Sequence, residues 1–158
     1  MSAYDSIADL SDVNVRPQPL PDGSDAVVEM REPPTTGLVG KNNEPVIELK
    51  HFIKTGPATD YEVRTTLWVN TVVKPGNKQS AFDSTKRTLK EIILAYTADA
   101  QAVNGFFRGC SSENEIAQRL ATLVGKPIKV VLSKETVTGK KGAFDVNRVK
   151  QWVPATPA

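Results

Sequence analysis

VIELKHFIKTGPATDYEVRTTLWVN, residues 46–70, is the stretch whose reading decides the fold. Its first nine residues alternate: Ile47, Leu49, His51 and Ile53 fall on one side of an extended chain, and Glu48, Lys50, Phe52 and Lys54 on the other. TGPATD (55–60) supplies turn residues, and the alternation then resumes. Tyr61, Val63, Thr65, Leu67 and Val69 share one side, and Glu62, Arg64, Thr66, Trp68 and Asn70 share the other. A period of two on both sides of a Gly-Pro turn predicts an antiparallel hairpin, 46–54 with 61–70, that buries one face only.

Working outward, residues 26–31 predict a preceding strand, and REPPTTGLVGKNNEP (31–45) reads as a long loop from its Pro, Gly and Asn content. Residues 1–21 show little hydrophobic pattern, carry three prolines in RPQPLPDGSD (16–25), and predict a flexible acidic arm with a helical turn near 5–10. Downstream, KPGNKQ (74–79) ends the β region. Ser80 and Asp83 open a helix with an apolar stripe of Phe82, Leu89, Ile93 and Tyr96. TADAQAVNGFFRGC (97–110) reads as a loop. Ser112 and Glu115 form a capping-box pattern for a second helix, whose inner face is Ile116, Leu120 and Leu123 and whose stop is Gly125. Ile128, Val130 and Leu132 begin a fourth strand, ETVTGKKG (135–142) reads as a turn, and 143–152 returns as the fifth.

Three strands, helices and two strands predict a mainly β (α+β) domain. The expected form is a five-stranded OB-fold-like antiparallel barrel with a helical insert between strands 3 and 4. A helix-covered open antiparallel sheet gives the same order. Residues 22–154 are expected to form this single domain, with 155–158 as a short tail. At 158 residues the chain is long enough for one substantial core.

Several pieces together resemble the small OB-fold single-stranded DNA-binding proteins of tailed bacteriophages. They are Asp22-Gly23 before the first strand, GLVGKNNEPVIELKHFIKTG (37–56), the helical insert, and the ending LVGKPIKVVLSKETVTGKKGAFDVNRVKQWVP (123–154). The likeness spans 22–154. It implies a protein that coats and protects unwound strands in replication or recombination, with replication or recombination proteins as partners. Many such proteins end in an acidic tail, whereas this chain ends VPATPA.

The charge distribution and the outward side chains fit a polyanion ligand. Residues 1–45 carry three basic and eight acidic side chains, a local charge of −5, and residues 124–158 carry seven and two, for +5. A single-strand binder needs cations along the phosphates and flat rings for the bases. Lys50, Phe52, Lys54, Arg64 and Trp68 offer both on one face of the hairpin, and Lys74, Lys129, Lys140, Lys141, Arg148 and Trp152 extend the track. The alternative is that Phe52 and Trp68 are covered by the helical insert or a second subunit. In that case the chain is a structural or assembly protein, such as a virion component. An RNA-binding regulator has the same surface chemistry. Phe106 and Phe107 read better as anchors of a long connection than as a second platform.

Enzyme chemistry finds little support. His51 is the single histidine and its register points inward, and Cys110 is the single cysteine, so neither a zinc site nor a catalytic dyad is expected. Gly37–Lys41 lacks the spacing of a phosphate loop. No cofactor or metal is expected. The single cysteine and the lack of a signal-like N-terminus predict a cytoplasmic protein, of the host cell for a phage-encoded chain, with no membrane association. A homodimer through an edge strand is left open.

Overall fold

The computed structural model describes residues 18–70, 75, 76, 78, 80–97 and 99–155. Along them run β1 (Ser24–Met30), β2 (Thr35–Val39), β3 (Glu44–Ile53), β4 (Glu62–Trp68), α1 (Ala81–Tyr96), α2 (Ala100–Gly105), α3 (Glu113–Ala121), β5 (Ile128–Gly139) and β6 (Gly142–Trp152). The six strands form one antiparallel sheet: β3 pairs with β1 and β2 along one edge and with β4 along the other, β1 also pairs with β5, and β5 with β6. The arm up to Pro17, Lys74 and the last three residues lie outside the described residues.

The decisive hairpin forms as its alternation dictates. Ile47, Leu49, His51 and Ile53 of β3 and Val63 and Leu67 of β4 are buried. Val28 and Met30 of β1 and Ile128, Val130 and Leu132 of β5 join them. Leu89, Ile92 and Ile93 of α1 and Ile116 and Leu120 of α3 cover this face. α1 packs on β4, β5 and β6, and α3 on β2 and β3. Ser80 caps α1 in a reciprocal box with Asp83, whose carboxyl is held below its ordinary range by the Ser80 backbone and hydroxyl hydrogen bonds. At α3, Ser112 accepts from the Glu115 N–H, but Glu115 reaches back to Ser111, so that box is not reciprocal.

Three sequence expectations need correction. The stretch read as a loop at 31–45 contains β2, which pairs Thr35 with Glu48 through Val39 with Glu44. β1 and β2 lie along the same edge of β3, with Met30 opposite His51 and Thr35 opposite Glu48. They are one long strand broken where residues 31–34 oppose only 49 and 50. Pro33 and Pro34, which have no N–H to donate, sit in that break. Next, the loop at 97–110 contains α2, capped by Asp99. Finally, ETVTG belongs to β5. The register runs to Gly139 opposite Gly142, leaving Lys140-Lys141 as a two-residue turn. Beyond Leu132 the β5–β6 pair leaves β1 and projects as a mostly exposed two-stranded ribbon. Among the described residues no ladder joins β4 to β6, although the two strands lie side by side. The sheet is therefore six-stranded and open along that seam.

Asn147 ties the base of the ribbon to the incoming chain. It is 2% exposed, its Oδ1 accepts from the Leu20 N–H (2.7 Å), and its Nδ2 donates to the carbonyls of Leu20 (2.9 Å) and Ser133 (3.0 Å). Asn147→Ala removes all three and strands part-buried backbone groups of Leu20 and Ser133. A loss of roughly 2–4 kcal/mol in urea-unfolding free energy is expected; a loss under about 0.5 kcal/mol would show that the tie is not structural.

Candidate nucleic-acid interface

The outer face of β3 and β4 sets Lys50 opposite Arg64, Phe52 opposite Glu62 and Val46 opposite Trp68. Its cations are compensated. Lys50 lies 3.7 Å from Glu32 and 3.9 Å from Glu62, Lys54 lies 3.5 Å from Glu29, and Arg64 lies 3.1 Å from Glu62. Arg31 sits with its guanidinium carbon 4.7 Å from the centroid of the Phe52 ring, and pairs with Asp60 and Glu29. The hydrogen bond to Asp60 is the main cause that raises the Arg31 pKa above its ordinary value. One face of the Phe52 ring is thus already occupied by a neighbouring cation. Exposed pairs of this kind are worth only ~0–1 kcal/mol each, so they are exchangeable, but they lower the net field of the face.

Trp152 also departs from expectation. It is 6% exposed and belongs to the core, with its ring edge-on to His51 at 5.3 Å. The cause is a bulge. The register shifts between Val131 and Leu132, which pair with Gln151 and Val149 and leave Lys150 as an extra residue. A strict period of two places Trp152 on the side of Arg148 and Lys150, and the inserted residue reverses the alternation and turns the indole inward. Trp68 is 38% exposed, but at the far end of β4, in a separate hollow shared with Thr88 of α1 and Lys150 of β6. Lys129 is exposed on β5 beside Val27.

The structure gathers aromatic and cationic groups elsewhere, at the open seam. A groove of about 500 Å³ runs between the start of β4 and the ribbon, lined by Tyr61, Glu62, Arg64, Val137, Phe144, Val146, Asn147 and Arg148, so the carboxylate that pairs with Arg64 lies in it too. Phe144 is 53% exposed, and its ring lies across Gly139, where an added Cβ would come within 2.9 Å of it. The glycine gives the ring a flat seat on the partner strand. Arg148 pairs with Glu135 (3.1 Å). Further out, the Thr136 hydroxyl donates to Asp145 (2.7 Å) and lowers its pKa, and Lys134 lies 3.6 Å from the same carboxylate. Lys140 and Lys141 stand exposed at the ribbon tip. Of the residues expected from sequence, Arg64 and Arg148 meet in this groove, and the tip lysines lie on the same ribbon.

Phe144 and Tyr61 are additions. Phe144 was legible as an aromatic beside a Gly-flanked turn, had the ribbon been extended through ETVTG. Tyr61 shares the parity of Val63, but at the strand's start it is only half-buried and reaches the groove.

The remaining chemistry-bearing residues face inward. His51 is fully buried, with Nε2 2.9 Å from the Tyr96 hydroxyl and no partner at Nδ1. Burial pushes its pKa down to about 4 and that of Tyr96 up, so both are neutral at pH 7. Phe106 and Phe107 are half-buried, edge-on at 4.8 Å and packed against the core, and Arg119 donates to the Phe106 and Arg108 carbonyls at 3.0 and 3.1 Å. Among the described residues no group of three or more His, Cys, Asp or Glu side chains is placed to hold a metal ion, and no helix is long and apolar enough to cross a membrane. No protein-family model matches the chain, and no curated protein matches it.

Proposed function

We propose that the protein binds single-stranded DNA without sequence preference, along the groove between β4 and the β5–β6 ribbon. The observation that carries this reading is the convergence there of two partly exposed rings, Tyr61 and Phe144, with two guanidiniums, Arg64 and Arg148, whose surface pairs with Glu62 and Glu135 are weak enough to be exchanged for phosphate contacts. Rings stack on any base and guanidiniums grip phosphates, so the groove suits an extended strand and is indifferent to its sequence.

The topology supports the same reading. Taking β1 and β2 as one broken strand, the order is strand, β3, β4, helices, β5, β6, with β1 paired to both β3 and β5. That order is compatible with a five-stranded OB-type barrel left partly open. Such barrels bind strands across their second and third strands, here β3 and β4, flanked by loops, and the groove lies where β4 meets the ribbon of the last two strands. The resemblance to phage strand-coating proteins gives the role: a non-catalytic protein of the host cytoplasm that holds unwound DNA extended during replication or recombination.

Anisotropy of a labelled oligo-dT, titrated at two salt concentrations and against duplex of equal length, tests the reading. Binding confined to the single strand and weakening steeply with salt is expected. Equal affinity for duplex, or none for either, would overturn it. Tighter binding to oligo-U than to oligo-dT would move the assignment to RNA.

A further inference from the structure

A hollow larger than the strand groove lies away from it. It is a cleft of about 670 Å³ between α1, α2 and the connection to α3. Its apolar wall includes Leu89, Ile93, Val103 and Phe107, and Lys86, Lys90 and Arg108 stand along it. Unlike the cations of the β3–β4 face, two of these are uncompensated. Lys86 pairs with Asp83, whereas Lys90 and Arg108 make no ion pair among the described residues. An apolar trough edged by positive charge that has no ion pair among the described residues fits a segment that is apolar on one side and acidic on the other.

The chain contains one such segment. In residues 4–13, Tyr4, Ile7, Leu10 and Val13 recur every third position, and Asp5, Asp9 and Asp12 fall between them. Projected at 100° per residue, the sequence alone groups the three carboxylates within about 60° of one another and the four apolar residues on the opposite half, in a stretch outside the described residues. Leu20 is fastened to Asn147 on β6, and Val13 is separated from it by at most about 25 Å of extended chain. The cleft opens on the side of α1 that carries Lys86 and Lys90, while the α1 side chains Ser84, Thr85 and Thr88 face β4 and β6.

We infer that the cleft between α1 and α2 is a docking site for residues 4–13 of a second copy of this chain, with apolar side chains in the trough and aspartates against Lys90 and Arg108. The contact is between copies and does not require the strand groove.

Cys110 lines the cleft and is the chain's single cysteine, which provides a direct test. In the full-length Leu10→Cys variant, mild oxidation is expected to link the introduced thiol of one copy to Cys110 of another. The product should be dimers and longer species, formed faster as protein concentration rises. Adding Lys90→Glu and Arg108→Glu should slow the linkage about tenfold or more, as should high salt. Lys90 and Arg108 are surface charges outside the core, and circular dichroism checks that the reversed protein keeps its fold. A looped monomer whose yield ignores concentration would overturn the assignment to a second copy. Linkage unaffected by charge reversal would reduce it to random collision and overturn the site.

Discussion

Replacing Phe144 and Arg148 together with alanine is expected to weaken oligo-dT binding about 100-fold at moderate salt. Removing one stacking platform costs ~1–3 kcal/mol, and losing a charged phosphate contact adds roughly 1 kcal/mol more. The two effects separate. Phe144→Ala should lower affinity with little change in salt dependence, because a ring releases no counterions. Arg148→Ala should reduce the salt slope by about one. Phe144→Trp keeps a platform and should bind within about threefold of the original protein, whereas Phe144→Leu, of similar bulk, should not. Phe52→Ala is the contrast: with Arg31 already over its ring, its loss should change affinity by less than about threefold. Anisotropy titrations of the set decide between groove and outer face. A larger loss at Phe52 than at Phe144 would return the interface to the face of β3.

His51 makes the fold acid-sensitive. Burial holds its folded pKa near 4, below the unfolded value of about 6.5. As pH falls below 6.5 the unfolded chain takes up a proton that the folded chain refuses, so stability present in full above that pH is lost progressively towards pH 4. The shift is worth about 3 kcal/mol in total, of which roughly 2 kcal/mol should disappear between pH 7 and pH 5. Carboxylates titrate too, mostly lower, and the His51→Gln variant isolates the histidine. It should be less stable at pH 7, since the packing against Trp152 and the bond to Tyr96 are disturbed, yet its stability should fall by about 2 kcal/mol less over the same pH range. Urea unfolding of both proteins at the two pH values measures this. Parallel pH profiles would mean that the imidazole is solvated in the folded state.

The inward alternation of Ile47, Leu49, His51 and Ile53 was legible in the sequence because burial on one face of a strand writes itself as a period of two. The caps of α1 and α3 were legible for a similarly local reason, since Ser80 and Ser112 satisfy N–H groups only three residues away. What stayed hidden depended on partners distant in sequence. β2 carries two prolines before it and a glycine within it, is exposed along most of its length, and exists because the edge of β3 is there to pair with. Trp152 points inward because of a single extra residue, and a bulge leaves no mark in the hydrophobic pattern. The cations at Lys50, Lys54 and Arg64 were correctly placed outward. Their neutralisation by Glu29 and Glu32 needed β1 and the break after it folded beside them, whereas Glu62 comes from β4 itself. The groove followed from the length of the ribbon. Reading ETVTG as turn shortened β5 and left Phe144 without a partner strand or a neighbour across the seam.

The most direct test of the account is the hydrogen-exchange footprint of a saturating single-stranded oligonucleotide on the full-length protein. Protection concentrated in β4 around Tyr61–Arg64 and in the ribbon from Ser133 to Arg148, with α1 and α3 unchanged, is the predicted result. Protection confined to the outer face of β3, or to the helices, or absent altogether at saturation, would contradict it.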